Sequence, residues 1–310
     1  MGKIISVQSP GSVANVGCGF DMMGFAVDGL GDRLRIQENL HGYIRIKPIQ
    51  GYGHSIPCDP EKNTAGVAIL EMCQKLSIKP GFDLEIEKLS PVGSGLGSSA
   101  SSTTAAVFAL NELLGNPYKD KMALLPFALK GESLASGSYH ADNVAPSLLG
   151  GFLAIRSLSP IDLVPIPIPS FLKVLLIHPH LEVLTKTARG LVPQMVSMNE
   201  VTAQMGNVSA FIMAMVNGDR ALLSRSFGDY LAEPYRAPLI PGYFEVKEMA
   251  LKMGALGCSI SGSGPTVFAI LDQETDEEEM AHGMQEAFQR KGIGSDCFFS
   301  GFNKEGAVLL

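Results

Sequence analysis

The segment at residues 91–100 constrains this chain more than any other, because it joins three alternating glycines to the start of a helix. Its residues read PVGSGLGSSA. The preceding residues 82–87 alternate apolar and charged side chains, which predicts a half-buried strand. The following residues 100–114 are rich in alanine, serine and threonine and predict a helix that ends at Gly115. Free backbone N–H groups at such a helix start attract an anion, and phosphate is the natural occupant.

The loop differs from the familiar glycine-rich phosphate loops. A Walker loop ends in Gly-Lys-Ser/Thr, but no lysine occurs between Lys88 and Lys119. The dinucleotide fingerprint G-x-G-x-x-G is not met, because the third glycine comes one residue early. Positive charge for a phosphate must therefore come from a metal ion, the helix dipole or a distant side chain. A flexible turn that caps a core helix is the alternative interpretation.

Two further glycine-rich segments, at residues 10–28 and 260–270, accompany the loop. Together the three resemble the superfamily of galactokinase, homoserine kinase, mevalonate kinase and phosphomevalonate kinase, whose P-x-x-x-G-L-G-S-S-A signature the loop matches. Within it, the chain most resembles the homoserine kinases. The S-x-A-N-x-G-x-G-F-D pattern of that family matches residues 12–21, and its H-A-D-N-V-A-P run matches residues 140–146.

The resemblance covers nearly the whole chain and implies a fold of two domains. These are an N-terminal ribosomal protein S5-like domain over residues 1–158 and a C-terminal ferredoxin-like domain over residues 170–310. Strands and helices interleave throughout the sequence, which by itself favours the α+β class. The proline-rich residues 160–169 cannot continue a helix or a central strand, so we interpret them as a crossover. The functional site is expected in the cleft between the domains.

The resemblance also implies an activity, namely phosphorylation of the side-chain hydroxyl of L-homoserine by ATP with Mg²⁺, on the route to threonine. The residues that would cradle the nucleotide are Pro91, Val92, Gly93, Ser94, Gly95, Leu96, Gly97, Ser98, Ser99, Ala100 and Ser101. The magnesium ligands carried over from the family are Glu132 and one serine of the Ser98–Ser99 pair, with Ser99 chosen and Ser98 left open. Hard oxygen ligands suit Mg²⁺, which keeps several of its waters.

The homoserine-binding residues follow from the same resemblance. They are Asn15, Asp21, His140, Asn143, Thr185, Arg189 and Arg236. The substrate carboxylate calls for arginine, whose planar fork binds both oxygens, and this role falls to Arg189 and Arg236. The ammonium group needs an acidic partner, for which Asp21 is the candidate. His140 and Asn143 would hold the reacting end.

A general base is not identified by the sequence. Mevalonate kinases place an aspartate in a comparable block, close to Asp142, whereas homoserine kinases are described as relying on alignment and charge stabilisation. Because Asp142 and Asn143 are adjacent, they cannot both face the substrate in an extended segment, and we predict that Asn143 does. The predicted catalytic residues are therefore Asn143, Glu132 and Arg189. Surface ion pairs or helix caps are the structural alternatives for such residues.

The composition is consistent with a metabolic enzyme. The chain has 310 residues, 46% of them apolar, and a net charge of −7 that argues against a nucleic-acid partner. No apolar run approaches the length of a membrane span and no export pattern is present, so we expect a cytoplasmic enzyme without a membrane partner. Five cysteines without a C-x-x-C pair indicate reduced thiols, and a homodimer is an open option.

Two other functions stay open on the sequence alone. One is another small-molecule kinase of the same superfamily, such as one that acts on mevalonate. The other is a non-catalytic relative that senses ATP and a metabolite. The serine pair and Glu132 argue against the sensor, because a sensor has no need of magnesium ligands.

Overall fold

The computed structural model describes residues 3–52, 56–137 and 139–310, in which the chain folds around two β-sheets. The elements of the first half are β1 (Ile4–Ala14), β2 (Met23–Glu38), β3 (Arg45–Ile46), β4 (Gln50–Gly51), α1 (Thr64–Leu76), β5 (Phe82–Lys88), α2 (Ser98–Leu113), α3 (Leu125–Ser136), α4 (Ala141–Leu149), β6 (Phe152–Leu158) and β7 (Ile161–Ile166). Those of the second half are β8 (Leu172–Pro179), α5 (Thr185–Gly190), α6 (Met198–Asn217), α7 (Arg220–Ser224), α8 (Glu233–Arg236), α9 (Tyr243–Lys252), β9 (Gly257–Ile260), β10 (Val267–Asp272), α10 (Glu277–Gln289), β11 (Ser295–Ser300) and β12 (Val308–Leu309). Short 3-10 helices occupy Pro60–Lys62, Lys121–Leu124 and Ala237–Leu239.

The first sheet has the central order β12-β1-β2-β5-β3, and helices α1 to α4 pack against it. Helix α2 lies at the centre of this layer and is buried along nearly its whole length. Its small side chains allow this close packing, and its hydroxyl groups bond to carbonyl groups one turn back. The Ser101 hydroxyl donates to the Ser98 carbonyl and the Thr104 hydroxyl to the Ala100 carbonyl. The helix that follows the glycine-rich loop is therefore part of the core.

The second sheet has the order β11-β8-β10-β9, with antiparallel pairing throughout. Along the chain, helices separate β8 from β9, a tight loop joins β9 to β10, and α10 separates β10 from β11. This β-α-β-β-α-β order is the ferredoxin-like arrangement that the resemblance implies. Helices α9 and α10 cover one face of the sheet through a core that includes Tyr243, Val246 and Phe288.

A shared apolar core joins the two halves. The other face of the second sheet packs on the ends of β1 and β2 and on α6. Phe25 of the first sheet contacts Phe268 of the second, with ring centroids 6.1 Å apart, and also contacts Phe302 at 4.7 Å. Such aromatic contacts add specific geometry to apolar burial. They fix the two walls of the cleft relative to each other.

The proline-rich passage is not simply a crossover, because part of it forms strand β7. This strand pairs with β6, and Pro165 lies opposite Leu153 in that register. Among the described strands, β7 has β6 as its one neighbour, and an edge strand tolerates a proline. The last strand, β12, returns to pair with β1. The division into residues 1–158 and 170–310 stays a prediction, and we propose that β7 and β12 belong to the first domain.

No helix in the described ranges is long and apolar enough to cross a membrane.

Candidate active site

A cavity of about 530 Å³ lies between the two halves of the chain, and all three glycine-rich segments line it. The sequence-predicted residues that line it are Asn15, Asp21, Val92, Gly93, Ser94, Gly95, Gly97, Ser98, Ser99, Glu132, His140, Asn143, Thr185, Arg189 and Arg236. Four predicted loop residues, Pro91, Leu96, Ala100 and Ser101, are buried and lie outside this lining. Leu96 and Ala100 belong to the hydrophobic cores instead. Alternate loop residues therefore turn inward and anchor the loop, and the nucleotide-binding role of the whole segment stays a prediction.

The loop owes its shape to its glycines. Gly93, Gly95 and Gly97 have φ angles of 69°, 80° and 65°, a region that favours glycine. Gly97 is the N-cap of α2 and offers no side-chain hydrogen bond to the first turn. The first N–H groups of α2 thus donate to no cap side chain, and the dipole at this end of the helix, which lines the cavity, favours an anion.

Hydrogen bonds hold the phosphate loop against the other two glycine-rich segments. The backbone N–H of Ser12 donates to the Leu96 carbonyl at 3.0 Å, and that of Thr266 donates to the Ser94 carbonyl at 3.1 Å. The Ser261 hydroxyl donates to the Gly95 carbonyl at 2.7 Å. The three segments thus form one connected structure with contributions from both domains.

Two oxygen groups beside the loop are suited to a divalent cation. The Ser98 hydroxyl is buried and has no hydrogen-bond partner within the described residues. Glu132, on α3, is also buried and lines the same cavity. A hydroxyl and a carboxylate are hard ligands of the kind that Mg²⁺ prefers. Ser99 lines the cavity as well, so both serines stay candidates.

The two predicted arginines lie together at the far side of the cavity. Both guanidinium groups stack on Phe20, with Arg189 Cζ at 5.3 Å and Arg236 Cζ at 5.2 Å from the ring centroid. Arg189 Nη1 also pairs with Asp21 Oδ2 at 2.5 Å. The attraction of each cation to the ring offsets part of the repulsion between the two. Phe20 belongs to the matched sequence pattern, but no feature of the sequence assigns it this role.

Asn15 connects these groups to the C-terminal glycine segment. Its Nδ2 donates to the Gly262 carbonyl at 2.8 Å, and its Oδ1 accepts from the Asp21 backbone N–H at 3.0 Å. Arg236 Nη1 donates to the same Gly262 carbonyl at 2.8 Å. Thr185 touches the neighbouring segment through Ser263, with the two hydroxyl oxygens 3.3 Å apart. Asn15 therefore fixes Asp21 and the glycine segment relative to Arg236.

The block that contains His140 is the start of helix α4, with His140 as its N-cap. The assumption of an extended segment was therefore wrong. Successive residues of a helix lie about 100° apart rather than on opposite faces, and both Asp142 and Asn143 line the cavity. Asn143 Oδ1 accepts a hydrogen bond from the Ser12 hydroxyl at 3.0 Å, which directs its amide.

Comparison with known proteins identifies the family of this site. Residues 63–151 match the GHMP kinases N terminal domain, and residues 211–290 match the GHMP kinases C terminal family. The homoserine kinase of Chloroherpeton thalassium is 43% identical over 99% of this chain and 100% of its own length. The chain belongs to the homoserine kinase family.

Solved structures agree with this membership. The crystal structure of homoserine kinase from Cytophaga hutchinsonii is 45% identical, with a TM-score of 0.95 over 100% of this chain and 98% of that one. L. major mevalonate kinase, solved with R-mevalonate, has a TM-score of 0.70 at 16% identity over 98% of this chain and 100% of its own, so it shares the fold. The predicted resemblance and the predicted two-domain α+β class are confirmed.

In this member of the homoserine kinase family, burial and neighbouring charges shift the pKa values of His140 and Asp142. His140 Nδ1 lies 3.9 Å from Glu132 Oε1. Burial alone lowers the pKa of His140, but the carboxylates of Glu132, Asp142 and Asp21 together raise that pKa above its ordinary value. Burial raises the pKa of Asp142 to about 6, against the lowering influence of His140. The carboxylates therefore favour the protonated form of His140, whose positive charge would lie beside Glu132.

Replacement of Asp142 by asparagine is expected to change how stability depends on pH. The pKa of Asp142 is about 6 in the folded protein, so as the pH rises the unfolded chain loses this proton first. The protonated form therefore stabilises the fold fully below about pH 4, and this stabilisation is lost as the pH rises through 6. Relative to the parent protein, Asp142→Asn should therefore gain about 1–3 kcal/mol between pH 4 and pH 7. Urea unfolding across this range measures the difference, and a constant difference would contradict the assignment.

The sequence missed several residues that line the cavity. Apolar residues Ile56, Pro57 and Leu134 and the charged residues Lys88 and Glu182 carry no recognisable motif, although all of them line it. Of these residues, Lys88 alone could have been noticed in the sequence, through its position rather than through a motif. It is the last residue of the strand before the loop, and the loop itself lacks the lysine that phosphate binding usually recruits.

Proposed function

We propose that this protein transfers the γ-phosphoryl group of ATP to the side-chain hydroxyl of L-homoserine, giving ADP and O-phospho-L-homoserine. The observation that carries the proposal is that a phosphate loop and an arginine–aspartate pair line one cavity. The first suits a nucleotide and the second suits an amino acid, whose carboxylate and ammonium need opposite partners. Relatives named homoserine kinase, 42–44% identical over nearly the whole chain, support it.

The nucleotide end of the cavity binds and orients the phosphates. The N–H groups of the loop and of the first turn of α2 donate to phosphate oxygens, and positioning of this kind supplies much of the catalysis in phosphoryl transfer. Glu132 with Ser98 or Ser99 would hold Mg²⁺, which when bound neutralises charge on the phosphates. Arg189 adds positive charge at the other side of the transferring group.

At the substrate end, binding of an amino acid would replace the Asp21–Arg189 ion pair with two ion pairs to the substrate. In the structure Asp21 and Arg189 neutralise each other. An amino acid that enters between them offers its ammonium to Asp21 and its carboxylate to Arg189 and Arg236. A carboxylate substrate without an ammonium would separate the pair and leave Asp21 without compensation, which is costly in a partly desolvated site.

The reacting hydroxyl is held at the start of α4. Asn143 uses its Oδ1 to accept from Ser12, so its Nδ2 can donate to an oxygen of the substrate or of the transferring group. An amide cannot accept the hydroxyl proton as a base. In a loose transition state that proton leaves late, so catalysis depends on alignment and charge rather than on a strong base.

The test of this proposal is ADP release by the purified protein with Mg-ATP and L-homoserine, L-serine, L-threonine, mevalonate or no acceptor. Turnover with homoserine well above the other acceptors is expected. Turnover with mevalonate instead would keep the kinase but overturn the roles of Asp21, Arg189 and Arg236. Binding of ATP without turnover on any acceptor would favour a sensor.

Asp21→Asn should reveal the partner of the ammonium. We expect the variant to raise the KM for homoserine about tenfold to a hundredfold, because a charge-assisted contact is lost, and to leave the KM for ATP unchanged. 4-Hydroxybutanoate, which is homoserine without its amino group, provides the matched substrate. The parent should strongly prefer homoserine over it, and the variant should lose most of that preference. An unchanged preference would place the ammonium elsewhere.

We infer a requirement for Mg²⁺ from the Ser98 hydroxyl and Glu132. A cytoplasmic location agrees with five cysteines that are all free thiols. A homodimer is the assembly proposed, and sedimentation of the purified protein tests it.

A further inference from the structure

We propose that Lys88 is a positioning residue for nucleotide binding, which acts on the phosphate loop from the buried wall of the cavity through the first turn of α2. Lys88 Nζ donates to Asp32 Oδ2 at 2.6 Å, to the Ser102 hydroxyl at 2.8 Å and to the Ser98 carbonyl. These acceptors use all three protons of an ammonium group. Lys88 therefore does not need to touch a phosphate in order to influence its binding.

The position of this lysine follows from the sheet. Strands β2 and β5 are antiparallel, and in their register Asp32 lies directly opposite Lys88. The Lys88 and Asp32 side chains are almost fully buried, with exposures of 1% and 0%. Buried ion pairs contribute little net stability compared with apolar residues of similar size. A role in stability alone therefore explains this pair poorly, whereas its place directly under the loop suggests function.

The hydrogen bond from Lys88 to the Ser98 carbonyl affects the phosphate site through the peptide unit that joins Ser98 to Ser99. The Ser98 carbonyl and the Ser99 N–H belong to the same planar trans peptide, in which they point in opposite directions. An ammonium that holds the carbonyl therefore aims the N–H out of the helix start, toward the cavity that Ser98 and Ser99 line. A charged donor on the carbonyl also polarises the peptide and strengthens the opposite N–H as a donor. In this way Lys88 replaces the lysine that the loop lacks.

The chain provides a matched control of the same chemistry. Lys247 Nζ lies 2.5 Å from Glu233 Oε1, and the Ser259 hydroxyl donates to Glu233 Oε2 at 2.9 Å. This lysine–carboxylate–serine group is also largely buried, with side-chain exposures of 21% for Lys247 and 11% for Glu233. Its three residues are not among those that line the cavity. Disruption of this group tests for general destabilisation without a change beneath the loop.

The experiment compares the double variants Asp32→Asn/Lys88→Met and Glu233→Gln/Lys247→Met, each of which removes both charges and leaves no isolated buried ion. Calorimetric titration with Mg-ADP is expected to show a Kd raised about tenfold or more in the first variant and changed less than about twofold in the second. The KM for homoserine should stay within about twofold in both. A purely structural defect would weaken the binding of both ligands, so a raised Kd for ADP with an unchanged KM for homoserine is not expected from one.

Three results would overturn the proposal. These are an unchanged Kd for ADP in a folded Asp32→Asn/Lys88→Met protein, an equal weakening in the control, and parallel rises in the KM values of both substrates. If circular dichroism shows that the first variant does not fold, Lys88→Arg carries the test. Its bulkier fork keeps the charge but cannot reproduce the three contacts, so a weakened Kd for ADP with an unchanged KM for homoserine is expected, and an unchanged Kd overturns the proposal.

The inference rests on the proposed function only in so far as the loop binds a nucleotide. ADP binding is measured without homoserine, so a protein that binds ADP but does not phosphorylate homoserine would refute the proposed reaction and still test Lys88.

Discussion

Glu132→Gln is expected to lower kcat for homoserine phosphorylation about a hundredfold to a thousandfold at saturating Mg-ATP. The substitution keeps the size and shape of the side chain but removes the negative charge that would hold the cation. Glu132 is buried at the cavity wall, close to the Ser98–Ser99 pair that would share the cation. Steady-state ADP release over a Mg²⁺ titration measures the effect, and the Mg²⁺ concentration at half-maximal rate should rise as well.

Glu182→Gln provides the control for Glu132→Gln. Glu182 is an exposed carboxylate that lines the same cavity, beside Gly93. Its loss changes the net charge of the site equally, and we expect kcat to fall by less than about threefold because exposed charges are screened. A Glu132→Gln protein that keeps most of its kcat, with an unchanged Mg²⁺ dependence, would remove Glu132 from the set of metal ligands.

The parts of this site that the sequence predicted are those encoded by local pattern. The loop at residues 91–100 combines strand, glycines and helix start within one short segment, and backbone geometry follows from such a segment directly. The resemblance supplied Glu132 and the arginines, which no local rule distinguishes from surface charges. All of these residues line the cavity. Their roles in binding and catalysis stay predictions.

The parts that the sequence did not predict depend on contacts between distant segments. Asp32 and Lys88 are 56 residues apart and meet because of the register of β2 and β5, which alternation of apolar residues does not specify. Phe20 gains its role from Arg189 and Arg236, which come from separate helices. The wrong assumption about Asp142 was different in kind, because a nine-residue helix with an internal proline gives a weak helical signal.

Gly95→Ala should destabilise the protein by about 2–5 kcal/mol and weaken ADP binding, since it combines backbone strain with a steric clash. Gly95 has a φ of 80°, and a Cβ atom there would lie 2.4 Å from the Ser261 carbonyl oxygen and 2.8 Å from that of Gly264. These are backbone atoms of the opposite domain, so they cannot rotate away as a side chain would. Urea unfolding and Mg-ADP titration measure the two effects.

Gly115→Ala is the control that separates the cost of backbone strain from the cost of the steric clash at Gly95. Gly115 ends the same helix that the phosphate loop begins, its φ is 78°, and a Cβ atom there would meet nothing within 4 Å. The substitution should therefore cost about 1–2 kcal/mol, the penalty of the left-handed backbone alone, and leave ADP binding unchanged. The difference between the two variants measures how tightly the loop is held against the C-terminal domain. Equal losses of stability and of ADP binding in the two variants would mean that the domains move apart at this contact. The anion site would then not depend on their close approach.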